Sequence, residues 1–189
     1  LGYDLNAVAI PKTIDNDLVI TDSCPGFGSV AKYVATSVKE AALDLKSMCK
    51  TSTNTFVLEV MGRHAGWIAA SAELANSSET IYAHKILLPE VRFDEEKFLS
   101  GVEKDISKHG FCVVVASEGL RDQTGNFYSE STGADSFGHK QLGGVAPKIA
   151  ELIKTKLAVK YHWAVSDYLQ RSARHLASGT DMEHAIAVG

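Results

Sequence analysis

Short apolar runs alternate with segments of helical periodicity along most of the chain. Strand-like runs occupy residues 55–60 and 111–116, and both are rich in β-branched or other apolar residues. From Val30 to Met48, apolar residues recur at steps of three and four, which is typical of an amphipathic helix. Alternating strands and helices predict a three-layer α/β fold with a Rossmann-like parallel sheet. The almost unbroken apolar run 111–116 favours a strand that is buried on both faces.

The remaining elements are predicted from the same signals. Further strands are predicted at residues 7–10, 85–88 and 163–165. Further helices are predicted through Ile68, Ala72 and Leu74, and through Ile149, Leu152 and Ile153. Asp94 is predicted as the N-cap of a helix, and Thr180 with Glu183 as the capping box of the last helix. Residues 121–144 form a polar stretch that is long for a loop, which indicates a functional or a mobile segment.

Composition excludes several classes of protein. With 19 Lys and Arg against 23 Asp and Glu, the formal net charge of -4 argues against non-specific nucleic-acid binding. No apolar run approaches the roughly 20 residues of a membrane span, and no signal-peptide pattern opens the sequence. The three cysteines are far apart and form no CxxC pair, so a zinc site is disfavoured. These features predict a cytoplasmic protein that binds neither membranes nor nucleic acids.

A polar loop directly follows the apolar residues 7–10. Its sequence, Pro-Lys-Thr-Ile-Asp-Asn-Asp at residues 11–17, brings two carboxylates, an amide, a hydroxyl and an ammonium together. Ligands of open α/β sheets bind where strands end, and side chains two residues apart in an extended chain point to the same side. One of the two aspartates, Asp15 and Asp17, could take a proton while the other helps to hold a cation. The alternative is a polar turn formed by Asp and Asn.

A second polar segment, Met-Gly-Arg-His-Ala-Gly-Trp at residues 61–67, follows the run 55–60 and opens a helix. Gly62 and Gly66 allow a close backbone approach, and the free N–H groups of a helix N-terminus attract anions. Arg63 adds a guanidinium suited to a phosphate or to developing phosphoryl charge. A tight turn with a surface arginine is the alternative.

Polar residues also follow the apolar run 111–116 and the predicted strand 163–165. Glu118 can accept hydrogen bonds from sugar hydroxyls, or it can merely cap the loop. Tyr168 and Arg171 are three residues apart, so on a helical turn they face the same way and could grip a phosphate together. A solvated basic helix start is the alternative. Four polar clusters after four strands indicate one site with carboxylate, cation and anion-binding parts.

These motifs, in this order, closely resemble those of the 6-phosphofructokinase family. The motifs are Pro-Lys-Thr-Ile-Asp-Asn-Asp, Met-Gly-Arg-His-Ala-Gly-Trp, Ser-Glu-Gly at residues 117–119 and Tyr-Leu-Gln-Arg at residues 168–171. The resemblance runs from about residue 5 to the chain end. It implies part of the phosphofructokinase fold, and phosphoryl transfer to the 1-hydroxyl of fructose 6-phosphate with Mg²⁺ as cofactor.

The resemblance also implies a role for each residue of the first loop. Asp15 would be the base that takes the proton from the sugar 1-hydroxyl, and Asp17 would lie near the Mg²⁺. Thr13 would touch the sugar phosphate or the transferring phosphoryl group, and Ile14 belongs to the same substrate-binding loop. Diphosphate-dependent members carry a lysine before this threonine where ATP-dependent members carry a glycine. Lys12 therefore favours the diphosphate-dependent branch, since an ammonium can stabilise the departing phosphate.

The acceptor sugar would be held by the other three motifs. The implied binding residues are Met61, Gly62, Arg63, Glu118, Tyr168 and Arg171. Arg63 would also offset charge in the transition state, Glu118 would bind sugar hydroxyls, and Tyr168 with Arg171 would hold the 6-phosphate. An ATP-dependent kinase and a non-catalytic sugar-phosphate-binding subunit are the alternatives. The presence of Asp15 argues against the latter, because a pure binder needs no base.

The resemblance further implies how the chain is organised. The family's glycine-rich donor-binding segment normally precedes the Thr-Ile-Asp-Asn-Asp loop and is absent from the 189 residues, so we expect a fragment that carries the acceptor half of an active site. Residues 1–25 and 167–189 would belong to a first, donor-side domain. Residues 26–166 would form a second, sugar-phosphate-binding domain. We expect the full-length protein to be a homo-oligomer, a dimer or a tetramer.

Overall fold

Parallel strands form the centre of the molecule. The computed structural model describes residue 2 and residues 4–134, 140–142 and 144–188. Its strands are β1 (Thr55–Val60), β2 (Lys85–Leu87), β3 (Cys112–Ser117), β4 (Glu130–Ala134), β5 (Lys140–Leu142) and β6 (Tyr161–Val165). Its helices are α1 (Phe27–Met48), α2 (Trp67–Ala70), α3 (Glu95–His109), α4 (Val145–Leu157), α5 (Leu169–Ser172) and α6 (Gly179–Val188), with 3₁₀ turns at Ser71–Ala75 and Arg174–Leu176.

The main sheet has the strand order β2-β3-β1-β6, and each neighbouring pair is parallel. Val60, the last residue of β1, lies opposite Ser117, the last residue of β3. On the other side, Glu59 lies opposite Val165 at the end of β6. The segments that follow β1, β3 and β6 therefore leave the sheet side by side at one edge, where α/β folds bind ligands. A separate antiparallel pair, β4 with β5, lies within the predicted polar stretch.

Apolar layers cover both faces of the sheet. Val113 and Val115 face one core, which is completed by α1 and the segment 68–75. Cys112, Val114 and Ala116 face the other, which is completed by α3 and α4. Successive residues of a strand point to opposite faces, so a strand between two helical layers has to be apolar throughout. The predicted three-layer α/β fold is confirmed, and β1 has the predicted bounds.

Helix α1 buries the predicted stripe, including Val30, Val34, Val38 and Leu45. Its N-terminus is capped from a distant part of the chain. The carboxylate of Asp181, on α6, accepts hydrogen bonds from the N–H of Gly26 at 2.8 Å and of Ser29 at 2.6 Å. A carboxylate at a helix N-terminus satisfies free N–H groups and opposes the positive end of the dipole. This cap fixes the start of α1 against α6.

Helix α3 begins at its predicted N-cap. The Asp94 side chain accepts a hydrogen bond from the backbone N–H of Lys97 at 3.0 Å, and Gly110 ends the helix in the left-handed conformation. For α6 the predicted capping box is wrong. The helix begins at Gly179, so Thr180 lies inside it, and Ser178 Oγ accepts from the Asp181 N–H at 3.1 Å.

Two other local predictions need correction. Residues 7–10 are not a buried strand: they have no regular structure, and Val8 is 93% exposed. A strand needs a partner for its backbone groups, and no strand among the described residues pairs with this segment. The helix predicted through Ile68, Ala72 and Leu74 is a four-residue α-helix followed by a 3₁₀ turn. In the part of the chain that the structure describes, no helix is long and apolar enough to cross a membrane.

Candidate active site

A cavity of about 1190 Å³ opens at the edge of the sheet where β1, β3 and β6 end. Most of the predicted site residues line it, although they come from four separate segments. They are Lys12, Thr13, Ile14, Asp15, Met61, Arg63, Glu118, Tyr168 and Arg171. The other two predicted residues do not line the cavity: Gly62 lies in the buried backbone of its wall, and Asp17 is exposed beside it.

The loop 11–17 is folded by its own polar side chains. Thr13 Oγ1 accepts a hydrogen bond from the Asp15 N–H at 3.1 Å. Asn16 has a positive φ of 58°, and its Oδ1 accepts from the Cys24 N–H at 2.8 Å. Asn and Asp tolerate the left-handed conformation better than most residues. Asn16 therefore acts as a turn former, and this turn leaves Asp15 in the cavity wall.

Burial raises the pKa of the Asp15 carboxyl above its ordinary value, and the negative charge of Asp17 adds to this. The positive charges of Lys12 and Arg63 oppose the shift, as does a hydrogen bond from the Arg63 backbone. A carboxylate whose pKa is raised holds a proton more strongly, which makes it a better general base near neutral pH. The chemistry predicted for Asp15 fits its surroundings.

The turn that follows β1 depends on two glycines. Gly62 has a φ of +127°, and a Cβ there would lie 2.6 Å from the Ala65 carbonyl oxygen. Gly119 follows β3, and a Cβ there would lie 2.1 Å from the Arg63 carbonyl oxygen. Both positions exclude other residues, one through its backbone conformation and the other through close approach. The two strand ends can therefore press together beneath the cavity.

Polar groups from β3 hold this turn in place. The buried Ser117 hydroxyl donates to the Gly62 carbonyl oxygen and accepts from the Gly119 N–H at 3.1 Å. Glu118 Oε1 accepts from the Gly62 N–H at 3.4 Å. Burial raises the pKa of Glu118, the charges of Asp15 and Glu59 add to it, and the Gly62 hydrogen bond opposes it. Glu118 is thus an acceptor aimed into the cavity beside the turn that carries Arg63.

Tyr168 and Arg171 lie together on the turn after β6. The Arg171 guanidinium carbon is 5.2 Å from the centroid of the Tyr168 ring, within the range of a cation–π contact. Both side chains are exposed at the rim of the cavity. The two side chains therefore lie together and present a hydroxyl and a guanidinium to the same space.

Glu59 and Gln170 line the cavity but were not among the predicted site residues. Glu59 is 2% exposed, and its Oε2 accepts from the Ala146 N–H at 2.8 Å at the start of α4. Burial raises its pKa, and hydrogen bonds from the backbone at the start of α4 oppose the rise. A single charge inside the apolar run 55–60 was the signal for Glu59. For Gln170 the signal was weaker, because phosphate binding was assigned to Tyr168 and Arg171 in the same motif.

The described residues do not form a complete metal site by themselves. Among the described residues, no group of three or more His, Cys, Asp or Glu side chains could hold a metal ion. Mg²⁺ is commonly bound by one or two carboxylates together with substrate phosphates and water. Asp17 is exposed and lies two residues after Asp15. Its carboxylate suits a Mg²⁺ that is bound mainly by substrate phosphates and water.

Comparisons with known proteins show which family the chain belongs to. The phosphofructokinase family model matches residues 2–173. A relative from Methylococcus capsulatus, named pyrophosphate–fructose 6-phosphate 1-phosphotransferase, is 62% identical over all 189 residues of this chain, which span 45% of that relative. The chain thus covers about half the length of the curated relatives it matches.

Solved structures give the same answer. A pyrophosphate-dependent phosphofructokinase from Nitrosospira multiformis is 53% identical, with a TM-score of 0.86, over 98% of this chain and 43% of that one. The corresponding enzyme from Marinobacter aquaeolei is 56% identical, with a TM-score of 0.81, over 94% of this chain and 41% of that one. Sequence motifs, fold and family match agree: this chain belongs to the phosphofructokinase family.

Proposed function

We propose that the protein transfers a phosphoryl group from diphosphate to the 1-hydroxyl of fructose 6-phosphate, giving fructose 1,6-bisphosphate and phosphate. The observation that carries the proposal is that one cavity is lined by Lys12, Asp15, Arg63 and Glu118, with the exposed Tyr168 and Arg171 at its rim. Three relatives that are more than half identical to the chain are pyrophosphate–fructose 6-phosphate 1-phosphotransferases, which supports the proposal.

In this reaction Asp15 takes the proton of the sugar 1-hydroxyl. The sugar oxygen bonds to the terminal phosphorus of diphosphate, and the bond from that phosphorus to the bridging oxygen breaks. The leaving phosphate carries away the bond electrons, and the ammonium of Lys12 offsets its charge. Arg63 stabilises charge on the transferring group, where a fixed cation in a partly enclosed site has most effect.

The acceptor would be bound by the segments that follow β1, β3 and β6. Glu118 accepts hydrogen bonds from the sugar hydroxyls, and Met61 and Gly62 shape the surface against which the sugar lies. Tyr168 and Arg171 hold the 6-phosphate, since a guanidinium can donate two parallel hydrogen bonds to phosphate oxygens. Thr13 and Ile14 complete the loop on the donor side.

Magnesium would be held by Asp17 together with the diphosphate itself. A bound Mg²⁺ would neutralise part of the diphosphate charge. The relatives' names do not mention a metal, so the ion is part of the proposal. The division into residues 1–25 with 167–189 and residues 26–166, the homo-oligomeric state and the cytoplasmic location likewise stay predictions.

Donor specificity tests the proposed function. We expect the protein at its natural full length to turn over fructose 6-phosphate with diphosphate and at least 100-fold more slowly with ATP. Lys12→Met should raise the KM for diphosphate at least 10-fold and leave the KM for fructose 6-phosphate within a factor of two. Lys50→Met, at an exposed lysine outside the cavity, is the matched control. Turnover with ATP alone would replace the proposal by the ATP-dependent alternative.

A further inference from the structure

Gln170 is a buried amide in an otherwise exposed turn. It is 3% exposed, whereas its neighbours Tyr168 and Leu169 are 67% and 65% exposed. A buried amide has to find partners for both its oxygen and its nitrogen. Here Oε1 accepts from the Met61 N–H at 3.3 Å, and Nε2 donates to the Asp167 carbonyl oxygen at 3.0 Å. Each end of the side chain is therefore bound to a different strand end.

The Gln170 side chain continues the sheet beyond its last backbone bond. Between β1 and the chain leaving β6, the Ser166 N–H donates to the Glu59 carbonyl oxygen at 2.9 Å. Two residues after Glu59, the Met61 N–H donates to the Gln170 side-chain oxygen instead of to a backbone carbonyl. The amide thus supplies one more rung of the ladder at the point where both chains turn away from the sheet.

The same amide also supports a strained turn. Asp167 has a positive φ of 39°, a conformation that non-glycine residues adopt only when the surroundings favour it. Gln170 Nε2 donates to the carbonyl oxygen of this residue. The hydrogen bond therefore favours the direction in which residues 168–171 leave the sheet.

We propose that Gln170 is a positioning residue that fixes the 61–63 turn against the 168–171 turn. The inference rests on the proposed function, in which both turns bind fructose 6-phosphate and Lys12 acts on the donor. Gln170 reaches both turns through neutral hydrogen bonds and keeps its amide away from solvent. Losing the link should loosen acceptor binding and leave donor binding unchanged.

The test compares Gln170→Met with Gln123→Met in the protein at its natural full length. Methionine has a similar size but cannot form either hydrogen bond. Gln123 is a fair control because its Nε2 also donates to a backbone carbonyl, that of Phe93, at 3.0 Å, outside the cavity. We expect Gln170→Met to raise the KM for fructose 6-phosphate about 10-fold, which corresponds to 1.4 kcal/mol, with the KM for diphosphate within a factor of two. Gln123→Met should leave both constants unchanged.

Hydrogen exchange separates this proposal from the proposed function. In Gln170→Met the Met61 amide should exchange about 10-fold faster than in the unmodified protein, whether or not the protein turns over sugar. Failure of the unmodified protein to phosphorylate fructose 6-phosphate would overturn only the proposed function. Unchanged exchange at Met61, or equal rises in both KM values, would overturn the role of Gln170.

A second variant covers the case in which Gln170→Met does not fold. Gln170→Glu keeps an oxygen for the Met61 N–H but has no N–H for the Asp167 carbonyl. Exchange should then rise at residues 168–171 and stay near its original rate at Met61. The reverse pattern, or no change in either segment, would overturn the proposal.

Discussion

Asp15 carries the strongest chemical prediction at the scale of a single residue. It is half-buried in the cavity wall, next to the positive charges of Lys12 and Arg63. Asp15→Asn keeps the size of the side chain and removes the base. Because general-base catalysis typically contributes about 10²–10⁴-fold, we expect kcat to fall by about three orders of magnitude. Fructose 6-phosphate affinity, measured by calorimetry, should change less than threefold.

The control for Asp15→Asn is Asp22→Asn, at an exposed aspartate that does not line the cavity. It should retain full turnover. Substantial turnover in Asp15→Asn would remove Asp15 from the proposed role of base, whatever the behaviour of the control.

The pH dependence gives a second test at the residue scale. Burial, and then the charge of Asp17, raise the pKa of Asp15. The base works only when deprotonated, so kcat/KM should fall as the pH drops through this raised pKa, on an acid limb above the ordinary aspartate range. Rate profiles of the unmodified protein over pH measure this limb. Asp17→Asn removes one raising charge, so the pKa of Asp15 should fall in the protein without Mg²⁺ or diphosphate. An NMR titration of the Asp15 carboxyl without Mg²⁺ measures this shift, and an unchanged or higher pKa would contradict the coupling.

At the scale of elements, the ends of β1 and β3 form one closely packed unit. A Cβ on Gly119 would lie 2.1 Å from the Arg63 carbonyl oxygen, which is backbone and cannot rotate away. We expect Gly119→Ala to lower the free energy of unfolding by about 1–3 kcal/mol, the usual cost of overpacking. Urea unfolding measures this. Gly179→Ala is the control, since nothing lies within 4 Å of a Cβ there, and equal stability of the two variants would contradict the packing argument.

The elements that could be predicted from sequence are those whose signal is local. The apolar stripe of α1 and the continuous apolar run of β3 follow from periodicity and burial alone. Asp94 lies next to the helix it caps. Partners far apart in sequence could not be found in this way: Asp181 caps α1 across more than 150 residues, and Gln170 meets Met61 across 109. No pattern within a short window contains both members of such a pair.

The same distinction between local and distant partners explains which site residues could be predicted. The motifs predicted many of the residues that line the cavity, because each motif contains its own polar side chains. Glu59 was missed because its partner, the start of α4, lies 87 residues away. Residues 7–10 were predicted as a strand because they are apolar, but hydrophobicity does not reveal whether a neighbouring strand is present. Their exposure, 93% at Val8, shows that the pattern alone was insufficient.

At the scale of the whole molecule, the proposed function divides the cavity unequally between acceptor and donor. The segments after β1, β3 and β6 would bind the acceptor, and hydrogen bonds link each of these segments to the sheet or to a neighbouring segment. On the donor side this chain would contribute the loop 11–17, and the chain spans only 45% of its relative from Methylococcus capsulatus. The acceptor side should therefore be the more complete of the two within these 189 residues.

This asymmetry predicts that the 189-residue chain binds fructose 6-phosphate by itself and shows little turnover with diphosphate. Arg171→Met should weaken sugar-phosphate binding at least 10-fold, since it removes the guanidinium that lies against Tyr168 and a charged hydrogen bond contributes about 1.5–3 kcal/mol. Arg174→Met is the matched control, because Arg174 is exposed and does not line the cavity. Calorimetry with fructose 6-phosphate measures both variants. Equal weakening in the two would indicate a diffuse effect of positive charge, and no binding by the unmodified chain would place essential acceptor groups outside these residues.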